Sequence, residues 1–291
     1  MLGQQLLNGV TAGATYALFA LGFTLMFGVL RVINLTYGFY FSAGAFLALY
    51  LAKTVGSIWL VLPLAALGSG AIAIVLDGLL LTRLRRVRGP ELASLMVTLG
   101  ATLLLYALMT AWFGTEIRRF PPALFGGAVE IGGLRLSGGQ LLVIGVAFAL
   151  VAALVLLIER TRFGLALRAL SENGEAAQLT GVDADGLVRL VSFISGALGG
   201  TAGVLIGLEF NAIEPYMGEA MMLKGFAVII IGGLGDIRGA LLAGLMVGLL
   251  EALTAGYLAS SLKDAVGFLL LVLTLWLRPV GLLGRAAARR A

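Results

Sequence analysis

Long apolar runs, separated by short connections rich in charge, Gly or Pro, organise this chain. Nine hydrophobic segments approach the ~20 residues that one helical crossing of a bilayer core requires. They lie at 5–30, 35–53, 57–81, 92–113, 138–158, 187–208, 219–233, 239–258 and 263–278. Pro90, Pro121, Pro122, Pro215 and Pro279 fall between segments, where a residue without an N–H interrupts no helix. Pro63 lies within the first two turns of its segment, where the missing donor is tolerated better. The pattern predicts an all-α protein, a polytopic transmembrane helical bundle of about eight to nine segments forming a single domain over 1–291. The first segment has no basic leader and no small-residue cleavage site, so it is read as a retained helix rather than a signal peptide.

Composition agrees. The chain is 60% hydrophobic and 12% charged, whereas a soluble domain carries about 25% charged residues. Too few polar side chains remain to cover a water-facing surface of this size. The 42 glycines are about twice the average share, and small residues let membrane helices approach closely. With no Cys and no His, thiolate chemistry, imidazole acid–base work and the usual zinc or haem ligand sets are excluded. No catalytic residues, metal site or cofactor site are therefore expected in the chain itself. The net charge of +5 is accounted for by membrane orientation, without nucleic acid.

The compact basic run Arg83, Arg85, Arg86 and Arg88 and the tail with Arg285, Arg289 and Arg290 belong on the cytoplasmic side by the positive-inside rule. Alternating from there leaves Lys53, Arg118, Arg119, Arg135, Lys224 and Lys263 outside, six of the twenty basic residues, with fourteen inside. This orientation places the N-terminus outside and the C-terminus inside, which requires an odd number of crossings. Nine satisfies it, and so does seven if 219–233 and 239–258 form a re-entrant pair. The largest external loop, 114–138, carries Pro121-Pro122, Gly126-Gly127 and Gly132-Gly133 and is expected to form turns and short interfacial structure, either docking a soluble partner or simply covering the bundle.

The cytoplasmic connection 159–186 is long and rich in helix formers. Leu165, Leu167, Leu170, Ala177 and Leu179 supply apolar positions; Arg168, Glu172 and Glu175 are charged. Asn173-Gly174 and Gly181 read as stops, which predicts two short amphipathic helices outside the bilayer. A helix lying on anionic lipid would show one strongly basic face. Here acids and bases alternate, and Glu172, Glu175, Asp183 and Asp185 would be repelled, so a protein partner fits better.

Glu175-Ala176-Ala177, with Gly181 after a gap of three, resembles the EAA-x-x-x-G core of bacterial ABC import permeases. Gly164, Ala166, Arg168, Ala169 and Glu172 are similar to the lead-in of the branched-chain amino-acid branch. Val32–Leu35 to Gly38 with Gly44 and Ala45, Gly232–Glu251, and Leu277–Leu282 to Gly284 resemble further stretches of the smaller, LivH-like permease type, in order along the chain. Departures occur at Leu35-Thr36-Tyr37, where a Phe and a His are usual, and at Asp236 and Arg238, where a small residue and Pro are usual.

The resemblance implies an inner-membrane permease subunit of an ATP-binding cassette importer, carrying a small amino acid, with leucine, isoleucine and valine leading. Urea, short amides or other amino acids are the alternatives within the family, and an ion-coupled secondary transporter is the alternative outside it. The implied partners are a second related permease, two cytoplasmic ATPase subunits that hold ATP and Mg, a periplasmic substrate-binding protein and membrane lipid. The coupling contact would fall on Arg168, Ala169, Glu172, Asn173, Glu175, Ala176, Ala177, Gly181 and Val182. The chain itself has no G-x-x-x-x-G-K-[ST] phosphate loop.

Polar or helix-breaking residues within apolar sequence are further candidates. Asn34, Tyr37 and Gly38 form either a broken helix lining the passage or an interfacial turn. Gly232, Gly233 and Gly235 mark either a gating break or a tight turn. Glu251 contacts a substrate amine or, the preferred reading, pairs with a base such as Lys224. Asp77 is expected to cap or pair with the Arg83–Arg88 loop, and Asn8 and Thr11 to hydrogen-bond between helices.

Overall fold

The computed structural model describes residues 2–30, 32–86, 91–121, 129–131 and 134–284. Arg31, Arg88, Pro90, Pro122, the glycine pairs at 126–127 and 132–133, and the basic tail with Arg285, Arg289 and Arg290 lie outside the described residues.

The apolar runs fold as helices throughout: α1 (Leu2–Leu30), α2 (Tyr37–Val55), α3 (Ile58–Leu76) and, after a π-helical turn at Asp77–Leu81, α4 (Thr82–Arg86). α5 (Glu91–Phe113) is followed by a short antiparallel strand pair, β1 (Val129–Ile131) and β2 (Leu134–Leu136). Then come α6 (Gly138–Arg160), α7 (Arg162–Glu172), α8 (Gly174–Leu179), α9 (Ala184–Phe210), α10 (Met217–Gly232), α11 (Ile237–Tyr257) and α12 (Lys263–Leu277). Among the described residues, eight helical stretches are long and apolar enough to cross a membrane. Together they make an all-α polytopic bundle.

α1 sits at the centre, packed against α11, α9, α6 and α10. Its seam with α11 depends on glycine: a Cβ at Gly9 or Gly13 would come within 2.8 Å of the Cα of Leu249 or Leu245. At Gly244 it would meet the Cα of Ala17 at 2.6 Å. Lipid offers helices no hydrophobic drive to associate, so close backbone approach and dispersion hold such seams. The order of these contacts, low α1 numbers against high α11 numbers, makes the two helices antiparallel.

Two faces of the bundle follow from the end contacts. Asn8 accepts a hydrogen bond from Gln140 at 3.0 Å, so the starts of α1 and α6 share one face. The end of α6 meets the start of α11 through Glu159 and Arg238 at 2.6 Å, on the face where α7 and α8 emerge. α10 is a correction to the expected spans. At 16 residues it covers ~24 Å at 1.5 Å per residue, too short for a full crossing and not simply re-entrant. It begins after Ile213, which pairs with Arg118 beyond the end of α5, and it ends against the start of α11. α10 and the non-helical 211–216 connection therefore join the two faces between them. α11, with 21 residues, is long enough to span alone, so the seven-crossing alternative, which needs 239–258 to be re-entrant, is set aside.

Candidate functional site

The connection between α6 and α9 forms the two helices expected, with the expected stops. The Thr161 side chain caps α7 by accepting the Gly164 N–H at 3.3 Å. The Asn173 side chain caps α8 by accepting the Ala176 N–H at 3.1 Å. Each satisfies a donor that a helix start leaves free. Gly181 ends the segment at φ +92°, the left-handed conformation that glycine adopts without strain, while Val182 N–H donates to Ala177 O at 3.1 Å. Asp183 then caps α9 through Gly186 N–H at 3.0 Å. These terminators are local, which is why spacing alone located them.

Arg168 turns inward and donates to Ile158 O at the end of α6 at 2.6 Å, and Gly164 packs against the Ile158 backbone. Leu167 and Ala177 are buried, Ala169 is half-buried, and Glu172, Asn173, Glu175 and Ala176 are exposed. The apolar positions thus do not all share one buried face. Leu165 is exposed, and Leu179 is 89% exposed at the end of α8. Among the described residues, no large apolar side chain is more exposed than Leu179. The sequence presented Leu179 only as one apolar position among five.

The second set of candidates separates in space. Asn34 is 1% exposed, so it is no interfacial side chain. Its Oδ1 accepts from the Thr36 N–H at 3.0 Å and the Thr36 hydroxyl at 2.5 Å, and Tyr40 OH lies 2.9 Å from that hydroxyl. Tyr37 donates to Phe19 O at 3.0 Å and is enclosed by Phe19, Phe23 and Tyr40. Gly38 lies against the Gly218 backbone. The turn between α1 and α2 is therefore buried in protein, where non-helical backbone at depth is tolerated. Gly232, Gly233 (φ +108°) and Gly235 (φ +85°) form a tight turn on the α7–α8 face, closed by Asp236 capping Gly239 N–H at 2.8 Å. Leu282 and Leu283 N–H donate to Ile231 and Gly232 carbonyls at 2.8 and 3.1 Å, tying the chain after α12 to this turn.

Glu251 belongs to a charged cluster on the other side of the bundle. Its carboxylate accepts from Lys224 Nζ at 2.9 and 3.1 Å and from Tyr16 OH at 2.8 Å. Lys224 also meets Asp264 at 2.8 Å and Tyr16 OH at 3.2 Å. The preferred pairing of Glu251 with Lys224 stands, with Lys224 in the first half of α10. Tyr16 and Asp264 were not anticipated, being far off in sequence. The four groups tie α1, α10, α11 and α12 together. A buried carboxylate is tolerable only with such partners.

Two further expectations resolve differently. Asp77 accepts from Arg85 at 2.7 and 3.1 Å, the ion pair read from sequence. Asn8 does bridge helices, whereas Thr11 bonds its own helix at Leu7 O, a correction explained by the ready i−4 carbonyl.

The chain matches the family described as the permease component of branched-chain amino acid transport systems over residues 5–275. It is 32% identical over 97% of its length to the BraD high-affinity branched-chain amino acid permease protein of Pseudomonas aeruginosa, covering 95% of that protein. It is 33% identical, over 97% of its length and 95% of the relative, to the corresponding LivH protein of Escherichia coli K12. A probable LivH permease of Methanocaldococcus jannaschii is 32% identical over 97% of the chain and 93% of that protein. No solved structure matches the chain. By the length and continuity of these matches, and by its bundle of apolar helices, the chain belongs to the branched-chain amino acid transport permease family of multi-pass membrane proteins.

Proposed function

We propose that this chain is the membrane-spanning subunit of an ATP-driven importer of a small amino acid, with leucine, isoleucine and valine as the leading cargo, and that energy enters through α7–α8. The observation that carries this reading is the capped pair α7–α8, seated on α6, α9 and α1 and leaving Glu172, Glu175, Ala176 and Leu179 exposed. Residues 168, 169, 172, 173, 175–177, 181 and 182 lie along α7, α8 and the turn that follows them. ATP and Mg are held by two ATPase subunits, and their closure presses on α8. α7 rests on α6, α9 and α1, so the displacement reaches three spanning helices. ATP binding then favours one packing of the bundle over another.

The orientation follows the same logic. Arg83, Arg160, Arg162, Arg168, Arg189 and Arg238 lie toward the α7–α8 end, which supports reading that face as cytoplasmic in a bacterial cell, with the N-terminus periplasmic and the C-terminus inside. A periplasmic binding protein delivers cargo at the opposite face, beside a second, related permease. In proteoliposomes holding the full complex, uptake is expected only with the ATPase, ATP and loaded binding protein together. Uptake that persists without the ATPase and collapses with the proton gradient would overturn the reading in favour of a secondary transporter.

A further inference from the structure

A cavity of about 340 Å³ opens at the face opposite α7–α8, where the starts of α1, α6 and α12 meet the ends of α9 and α11. Its size falls within the ~300–1,000 Å³ of small-molecule sites. Asn8, Tyr16, Gln140, Glu209, Glu251 and Lys263 contribute polar groups to its wall. Most of these are committed. Asn8 and Gln140 bond each other, and Glu251 holds Tyr16 and Lys224. Lys224 is shared between Glu251 and Asp264. Glu209 differs: its Oε2 is buried and has no hydrogen-bond partner. A buried carboxylate oxygen left unpaired is costly, and such groups in native structures point to a function or a missing ligand.

We propose that this cavity receives the ammonium group of the transported substrate and that Glu209 is the residue that binds it. The proposal rests on the import reading above and goes beyond it by assigning a site and a group. Glu251, considered from sequence for the same role, is less suited, because Lys224 already pairs its charge and Tyr16 also donates to it. Glu209 lines the cavity, and no partner at its buried Oε2 commits the carboxylate elsewhere. Lys263 places an opposite charge on the same lining, so the cavity suits a zwitterion. Glu209 sits one residue before the end of α9, and α9 begins directly after α8. One rigid helix therefore links the coupling segment to the site.

The test uses the complete importer in proteoliposomes at saturating, amino-acid-loaded binding protein, with uptake and thermal stability measured side by side. Glu209→Gln keeps shape and removes charge. It is expected to lower uptake by ~10-fold or more, the loss of one charge-assisted hydrogen bond, while leaving the melting temperature unchanged or raised. Glu209→Asp is expected to retain uptake between wild type and the Gln variant. Wild-type uptake by Glu209→Gln overturns the proposal, and so does a parallel fall in uptake and stability, which marks a structural carboxylate. If the wild-type complex imports no amino acid, the import reading itself has failed; a defect in Glu209→Gln uptake can be scored only against a working wild type.

Discussion

Along the α1–α11 seam, glycines bring two backbones into contact over several turns, and every added carbon would collide. On α7–α8, side chains hold the segment at two or three points, and Leu179 and Glu175 face water. The seam leaves no room for added side-chain atoms at these glycines. The α7–α8 segment is attached through Arg168, Leu167 and Ala177 and leaves several side chains exposed. If stability is concentrated in the seam and the proposed recognition in α7–α8, substitutions should separate the two properties.

The largest effect is expected from Gly13→Leu, whose side chain would displace the α11 backbone at Leu245. Overpacking of this kind costs about 3 kcal/mol or more, and the measure is yield of folded protein in detergent. Lys224→Met should come next. It leaves the buried Glu251 with Tyr16 alone, a loss of about 3 kcal/mol, and Lys224→Met with Glu251→Gln should recover most of the lost thermal stability. Failure of that recovery would show that the cluster does not act as a unit. Asn173→Ala removes the α8 cap and should cost about 1 kcal/mol locally, read as faster hydrogen exchange of the 174–179 amides with little change in global melting. Leu179→Asp should have the smallest effect on folding, within about 0.5 kcal/mol, while abolishing association with the ATPase.

Legibility in the sequence tracks how local each cause is. Helix stops at Asn173 and Gly181, the Asp77–Arg85 pair and the glycine turn at 232–239 depend on residues within one or two turns, and all could be read directly. The partnership of Tyr16, Lys224, Glu251 and Asp264 depends on four helices meeting, and spacing carries no trace of it; only Glu251 stood out, because a carboxylate halfway along an apolar run is conspicuous. Glu209 was passed over because it sits at a segment's end, where a charge is ordinary. The apolar run 219–233 forms a helix almost where it lies, Met217–Gly232, but a run of this length counts as a candidate span from hydrophobicity alone while its 16 residues fall short of a crossing. Asn34 illustrates the reverse: its place at a segment boundary suggested an interfacial side chain as readily as a buried turn, and the return of the chain into the bundle decided it.

The central claim, that energy enters at α8, is tested most directly by substrate-stimulated ATP hydrolysis in the reconstituted complex carrying Glu175→Arg or Leu179→Asp. Both substitutions lie on exposed positions of a six-residue helix, so the permease should fold and melt as the wild type does. Loss of ATPase association and of stimulated hydrolysis is the predicted result. Stimulated hydrolysis at the wild-type rate in both variants would contradict the account.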